Sequence, residues 1–159
     1  MTRFIGSEIK GKTVGLLGFG AIARLVAKKL QCFNVEVIAF DLYPNEQAAK
    51  EIGVRMTTQE EVITKSDIVS IHIPATPETH HLFNKETIAS MKDGAYLINP
   101  ARGALVDLDA VAEALTSGKL AGAAMDAFAV EPLPLDSPIL KCDNIVLNPH
   151  TGAETKESS

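Results

Sequence analysis

The feature that most constrains this chain is a sustained alternation. Short, almost uninterrupted apolar runs are separated by stretches whose apolar residues recur at helical spacing. The runs are Val14-Gly15-Leu16-Leu17, Val35 to Phe40, Ile68-Val69-Ser70-Ile71, Ala95 to Ile98, Ala121 to Met125 and Ile145-Val146-Leu147. Runs of this length without polar alternation predict strands covered on both faces. Between them, Ile22, Leu25, Val26 and Leu30 follow i, i+3, i+4, i+8, and Leu108, Val111, Ala112 and Leu115 follow i, i+3, i+4, i+7, the pattern of helices with one apolar stripe. Strands and helices in this order imply an α/β fold, a doubly wound parallel sheet with helices on both faces. No repeat, low-complexity tract or linker interrupts the pattern, so residues 1–159 read as a single domain.

Composition narrows the function classes. With 46% apolar residues over 159 positions the chain can bury a substantial core. Its 15 Lys and Arg against 20 Asp and Glu leave a net charge of −5 without any basic run, which argues against nucleic-acid and anionic-membrane partners. No apolar stretch approaches the roughly 18–20 residues of a membrane span, and the opening MTRFIGSEIKGK lacks the apolar core of a signal peptide. Two cysteines, Cys32 and Cys142, cannot build a disulfide scaffold, so a reducing, cytoplasmic setting is expected. They read as ordinary packed or half-exposed thiols. His72, His80, His81 and Cys32 lack the spacing of a zinc site, so no metal is expected and the histidine pair reads as solvated turn. Glu46, Lys50 and Glu51 read as a solvated helix face. At the far end, Thr151-Gly152-Ala153-Glu154 has the spacing of a helix capping box. A helix that starts so near the end, together with an unpatterned stretch 1–12, reads either as a chain cut short of its continuation or as a frayed polar end.

The first apolar run leads into Gly18-Phe19-Gly20-Ala21-Ile22-Ala23, a G-x-G-x-x-A loop that opens the first helix. Gly18 permits a tight turn, Gly20 lets the backbone approach a pyrophosphate, and Ala23 allows close helix–strand contact. The helix N-terminus offers free N–H groups to the phosphates. Asp41 follows Gly20 by 21 residues at the end of the second run, where a carboxylate accepts from the ribose hydroxyls of NAD and repels the 2′-phosphate of NADP. Loop and acid together favour dinucleotide binding over an ordinary turn, and NAD over NADP. The fold is then a Rossmann fold, with Phe19 a packing residue of its glycine loop rather than a stacking platform.

Polar or small residues also gather just past the other runs: His72 and Pro74, Asn99 to Gly103, Asp126 and His150. In an open parallel sheet the ligand crevice lies outside the carboxyl ends of the strands. Arg102 offers a planar cation suited to a carboxylate, and His150 is suited to proton transfer near neutrality. Glu131, nineteen residues earlier, is suited to hold the imidazole. Beside a nicotinamide these three fit one reaction: Arg anchors a 2-hydroxy acid or its keto form, His exchanges the hydroxyl proton, and the cofactor exchanges the hydride. Taken singly, a surface ion pair for Arg102 and Glu131 and a capping or buried His150 are the plainer readings.

These motifs resemble the nucleotide-binding domain of the D-isomer-specific 2-hydroxyacid dehydrogenases, in flavour the phosphoglycerate dehydrogenase-like branch. The resembling segments are Gly11-Lys12-Thr13-Val14-Gly15 through Ala23, Ser66-Asp67-Ile68-Val69, His72-Ile73-Pro74-Ala75-Thr76 with Thr79, and Ile98-Asn99-Pro100-Ala101-Arg102-Gly103. They continue with Leu120-Ala121-Gly122-Ala123-Ala124-Met125-Asp126, Phe128 with Glu131-Pro132, and Asn148-Pro149-His150. The resemblance implies a hydride transfer between NAD(H) and a D-2-hydroxy acid, 3-phosphoglycerate or a related acid. It implies Arg102 as substrate-binding arginine, Glu131 as partner of the histidine and His150 as acid/base. Asp126 matches the aspartate near the nicotinamide carboxamide, and Asp41, with Leu42 beside it, the adenosine-ribose side. Gly18 to Ile22 form the pyrophosphate loop. Asn99, Pro100, Ala101, Gly152 and Ala153, with Arg102 and His150, line the nicotinamide side, and His72, Pro74 and Thr79 the adenine side. Thr151-Gly152-Ala153 after the histidine departs from the usual bulky apolar residue, and Pro100 removes one N–H beside the nicotinamide.

The family's second domain, built from segments flanking this one, has no counterpart in the 159 residues. The expectation is therefore an excised or truncated cofactor domain that binds NAD(H) and turns over no substrate alone. Relatives commonly dimerise through this domain, which implies a homodimer. A short-chain dehydrogenase would need Tyr-x-x-x-Lys, but Tyr43 and Tyr96 are followed four later by Gln47 and Pro100. A non-catalytic NAD(H)-sensing or co-repressor module of the same fold is the alternative, since it keeps the same Arg, Glu and His. A nucleotide-sensing channel domain would not need those three, and a methyltransferase explains none of the later motifs.

Overall fold

A computed structural model describes residues 5–158. The first four residues and the last, which the sequence reading counts within the domain, lie outside the described residues. All six apolar runs form strands: β1 (Thr13–Leu17), β2 (Glu36–Phe40), β4 (Ile68–Ile71), β5 (Ala95–Asn99), β6 (Leu120–Met125) and β7 (Ile145–Leu147). A seventh, β3 (Arg55–Met56), has only two residues and no apolar run, so sequence pattern gave no sign of it. The helices are α1 (Ala21–Leu30), α2 (Glu46–Ile52), α3 (Gln59–Lys65), α4 (Lys85–Ser90) and α5 (Leu108–Ser117). The strands pair in parallel in the order β3-β2-β1-β4-β5-β6-β7. The chain thus steps outward from β1 to β3, returns through α3 to β4 beside β1, and steps outward the other way. That reversal between β1 and β4 opens the crevice where α/β folds bind ligands.

The crossover helices divide between the two faces of the sheet, α1 and α2 on one and α3, α4 and α5 on the other. Val14, Leu16, Val37 and Ala39 pack with Ala23 and Ala27 of α1 and Ala49 of α2. Leu17, Ile38, Val69, Ile71 and Leu97 pack on the other face with α3, α4 and α5. Beyond the reach of α1 and α2, the first face of β4–β7 is only partly covered. Ile68, Tyr96 and Ile98 are half-buried there and Val146 is 65% exposed. The expectation that strands are covered on both faces therefore holds for the centre of the sheet and not for this half.

The stripe of α1 also differs from expectation. Ile22 and Leu25 are 70% and 58% exposed, and the packed face is Ala23, Val26, Ala27 and Leu30. Small residues let this helix lie close to β1, so the alanines turn inward and rotate the larger side chains out. Residues 151–158 form turns, and Glu154 N–H donates to the Thr151 carbonyl at 3.1 Å. The capping-box spacing thus closes a turn, and no helix forms among the described residues after it.

Candidate functional site

The glycine loop lies between β1 and α1. Gly18 sits at φ +96°, and a Cβ there would collide with the His72 carbonyl at the end of β4. Its N–H donates to the Phe40 carbonyl at 2.8 Å, and His72 N–H donates to the Leu17 carbonyl at 2.6 Å. The ends of three neighbouring strands are thereby stitched together. Gly20 is the opposite case, because a Cβ built on it meets nothing within 4 Å. It is also the N-cap of α1, with no side chain capping the helix, whereas Asn45, Thr58, Asn84 and Asp107 cap the other four. An uncapped helix start with open space before it suits a pyrophosphate.

Asp41, just past β2, accepts from Phe19 N–H at 2.7 Å and from Tyr43 N–H at 2.9 Å. The acid therefore also shapes the loop. The Phe19 ring is buried in the core, so only its backbone faces the cleft, as the packing reading requires. Ile22 and Leu42 stand exposed at its margin. Past β4, His72 Nε2 lies 2.9 Å from Ser70 Oγ, and burial pushes the imidazole below its ordinary value. Ser70 was missed, although two-residue alternation along a strand puts it on the same side as His72. Thr79 Oγ1 accepts from Thr76 N–H at 2.8 Å and donates to the Pro74 carbonyl at 3.0 Å, closing a compact turn.

Past β5, Asn99 is 1% exposed. Its Oδ1 accepts from Ala101 N–H at 3.0 Å and its Nδ2 donates to the Arg102 carbonyl at 2.8 Å. It thus moulds the Pro100-Ala101 turn and leaves Arg102 exposed, with Nη1 donating to the Ala101 carbonyl at 2.9 Å. Among the described residues Arg102 forms no ion pair. Gly103 lies against the Phe128–Ala129 backbone with no room for a Cβ. That contact, which sequence motifs did not reveal, fastens the Arg102 loop to the segment carrying Glu131.

Glu131 and His150 meet directly. Both carboxylate oxygens lie 3.1 Å from His150 Nδ1, and Oε1 also accepts from Phe128 N–H at 3.0 Å. The Phe128 N–H and His150 hold the Glu131 carboxyl below the usual glutamate range. Glu131 borders an apolar cleft walled by Phe128, Leu133, Leu140 and Leu147. Asp126, just past β6, accepts from Thr151 N–H and Gly152 N–H, each at 3.0 Å. Pro100 and Ala153 stand exposed on the same rim.

The remaining side chains are unremarkable. The His80 and His81 rings stack with centroids 4.0 Å apart, and among the described residues no cluster of His, Cys, Asp and Glu could hold a metal ion. Cys32 is exposed and Cys142 half-buried, both free thiols. No helix of the described residues is long and apolar enough to cross a membrane.

Known proteins resemble this chain in sequence and fold. The family model for the D-isomer specific 2-hydroxyacid dehydrogenase, NAD binding domain, matches residues 1–152. The chain is 46% identical over 157 residues to the D-3-phosphoglycerate dehydrogenase of Bacillus subtilis, covering 99% of this chain and 30% of that protein. It is 46% identical over 154 residues to the glyoxylate reductase of Thermofilum pendens, covering 96% of this chain and 45% of that one. The chain thus spans less than half the length of either relative. The NAD-complexed crystal structure of the D-isomer specific 2-hydroxyacid dehydrogenase of Lactobacillus delbrueckii superposes with a TM-score of 0.88 at 35% identity, covering 99% of this chain and 52% of that one. The chain belongs to the D-isomer specific 2-hydroxyacid dehydrogenase family, as its NAD-binding domain.

Proposed function

We propose that this domain serves an enzyme that interconverts a D-2-hydroxy acid and its 2-keto acid, with 3-phosphoglycerate or a related acid as substrate. The observation that carries the reading is the Glu131–His150 pair, with both carboxylate oxygens 3.1 Å from Nδ1, on the strand-end rim that also holds the glycine loop. Bound NAD(H) supplies or takes the hydride. Arg102, exposed and without an acidic partner among the described residues, binds the substrate carboxylate as a planar fork. Glu131 keeps Nδ1 of His150 engaged, which leaves Nε2 to give or take the hydroxyl proton. Gly18, Phe19, Gly20, Ala21 and Ile22 present the loop to the pyrophosphate. Asp41 and Leu42 receive the adenosine ribose, and His72, Pro74 and Thr79 border the adenine. Asn99, Pro100, Ala101, Asp126, Gly152 and Ala153 border the nicotinamide.

A second domain closing over this rim excludes water during turnover, so residues 1–159 alone bind NAD(H) without oxidising substrate. The assembly is a homodimer in the cytoplasm, a setting that two free thiols suit. No nucleic acid takes part. The test is calorimetric titration of NADH and NADPH into the wild-type chain, Asp41→Ala and Asp41→Asn. We expect NADH to bind more tightly than NADPH, and both variants to lose that preference. The asparagine should keep the glycine loop better formed, because it retains an acceptor for Phe19 N–H. No heat with either nucleotide on a folded sample would overturn the reading.

A further inference from the structure

His150 lies three residues beyond the end of β7, at φ +59°, a backbone conformation that residues with a side chain seldom adopt. It is exposed and belongs to no helix or strand. Glu131 touches its ring, but a ring contact does not set a backbone. Two other sets of bonds do. Ahead of it, Asn148 N–H donates to the Met125 carbonyl at 2.9 Å. Behind it, Thr151 N–H and Gly152 N–H donate to Oδ1 and Oδ2 of Asp126, each at 3.0 Å. One carboxylate thus takes two successive amides, and hydrogen bonds to an ionised acceptor are the stronger kind. The fit is close: a Cβ on Gly152 would stand 2.8 Å from Asp126 Oδ2.

Asp126 is in turn fixed from the next strand, its N–H donating to the Asn99 carbonyl at 3.1 Å. Asn99 is the same buried residue whose side chain moulds the turn ahead of Arg102. The loops of Arg102 and His150 are therefore both indexed to one pair of adjacent strand ends.

We propose that Asp126 is a positioning residue: its carboxylate clamps the backbone after His150 so that Nδ1 meets Glu131, and with Asn99 it sets that ring against the Arg102 loop. This goes beyond a place beside the nicotinamide, and it rests on the reading of His150 as the acid/base. The role is one of geometry rather than charge. At Glu131 the Asp126 charge works against the Phe128 N–H and His150, which hold that carboxyl low.

The consequence is a defined tautomer. With Nδ1 hydrogen-bonded to a carboxylate, the neutral ring carries its proton on Nδ1 and leaves Nε2 bare. Nitrogen-15 NMR of the full chain, at a pH where the ring is neutral, reads this from the ring nitrogens. Amide hydrogen exchange reads the clamp at Thr151 and Gly152. In the wild type we expect the Nδ1–H form and protected amides. Asp126→Ala should speed exchange at both amides by about tenfold or more and return the ring to a mixture of tautomers. Asp126→Asn keeps the shape and one acceptor oxygen, so it should rescue one of the two amides. It carries the test where the alanine variant does not fold.

Gly152→Ala separates position from charge. It opens the clamp from the other side with the carboxylate intact, and should shift the tautomer as Asp126→Ala does. A tautomer that moves in Asp126→Ala but not in Gly152→Ala, with Gly152 exchange raised in both, would assign the effect to charge and overturn the proposal. So would unchanged exchange and tautomer in a folded Asp126→Ala chain. No readout uses nucleotide or substrate, so a failure of the clamp and a failure of NADH to bind are separate results.

Discussion

Replacing Gly20 by alanine should separate binding from stability. Gly20 has φ −77° and ψ −167°, which alanine adopts freely, and a Cβ there meets nothing within 4 Å. The substitution reduces the freedom of the unfolded chain, a gain of about 0.4–1 kcal/mol. It also puts a poorer residue at the N-cap of α1, a loss of about 0.5–1 kcal/mol. The two offset, so stability should change by no more than about 0.5 kcal/mol, and the melting temperature by no more than about 2 °C. The same methyl occupies the space before the helix that a pyrophosphate must enter. Overpacking of that kind costs about 1–3 kcal/mol, or about 5–150-fold in NADH affinity. Two residues earlier the outcome reverses. Gly18→Ala forces a side chain into φ +96° and against the His72 carbonyl, at about 1–2 kcal/mol for the backbone and about 1–3 kcal/mol for the clash. Its melting temperature should drop by about 4–20 °C. Thermal melts and calorimetric titration of NADH on the three proteins decide it. A Gly20→Ala chain that melts like wild type and binds NADH equally well would refute the reasoning, because the open space would then be plain solvent.

Two further perturbations probe how the rim is held. Gly103→Ala drives a Cβ into the Phe128–Ala129 backbone and should cost about 1–3 kcal/mol in urea unfolding. By moving the Phe128 N–H away, it should also let the Glu131 carboxyl rise toward its ordinary value of 4.5 in an NMR titration. Wild-type stability with an unshifted Glu131 would sink the link between the two loops. His72 supplies a pH dependence. Burial lowers its folded value below the ordinary 6.5, so on acidification the unfolded chain takes up the proton first, and stability declines from about pH 6.5 down through the folded value. The shifted carboxylates act mainly below about pH 4.5, so urea unfolding at pH 7 and pH 5.5 samples the imidazole range, and the comparison with a His72 variant isolates that ring. His72→Gln should flatten that difference, and an equal slope in the variant would count against the buried ring as its source.

Much of the architecture was legible in the sequence, because both of its signals are local. Six strands read directly as apolar runs, since strands covered on both faces at the centre of the sheet, and half-covered ones beside them, carry few polar positions to disguise them. The glycine loop and Asp41 read from spacing, since a tight turn, a close backbone approach and an acid at the next strand end each demand a residue type at a fixed offset. Arg102, Glu131 and His150 were legible as candidates because a carboxylate-binding cation, a carboxylate and an imidazole follow β5, β6 and β7 in turn. What stayed hidden depended on contacts between segments far apart in the chain. The α1 face was misread because the alanines that pack on β1 look no more apolar than Ile22 and Leu25. The two-residue β3 has no pattern of its own and is a strand only because β2 pairs with it. That one carboxylate of Glu131 spans both Phe128 N–H and His150, that Gly103 leaves room only for the Phe128 backbone, and that Asp126 holds two amides 25 and 26 residues away were decisions of tertiary structure. Sequence spacing places residues at the ends of strands, and the packing of neighbouring strands determines which of those ends touch.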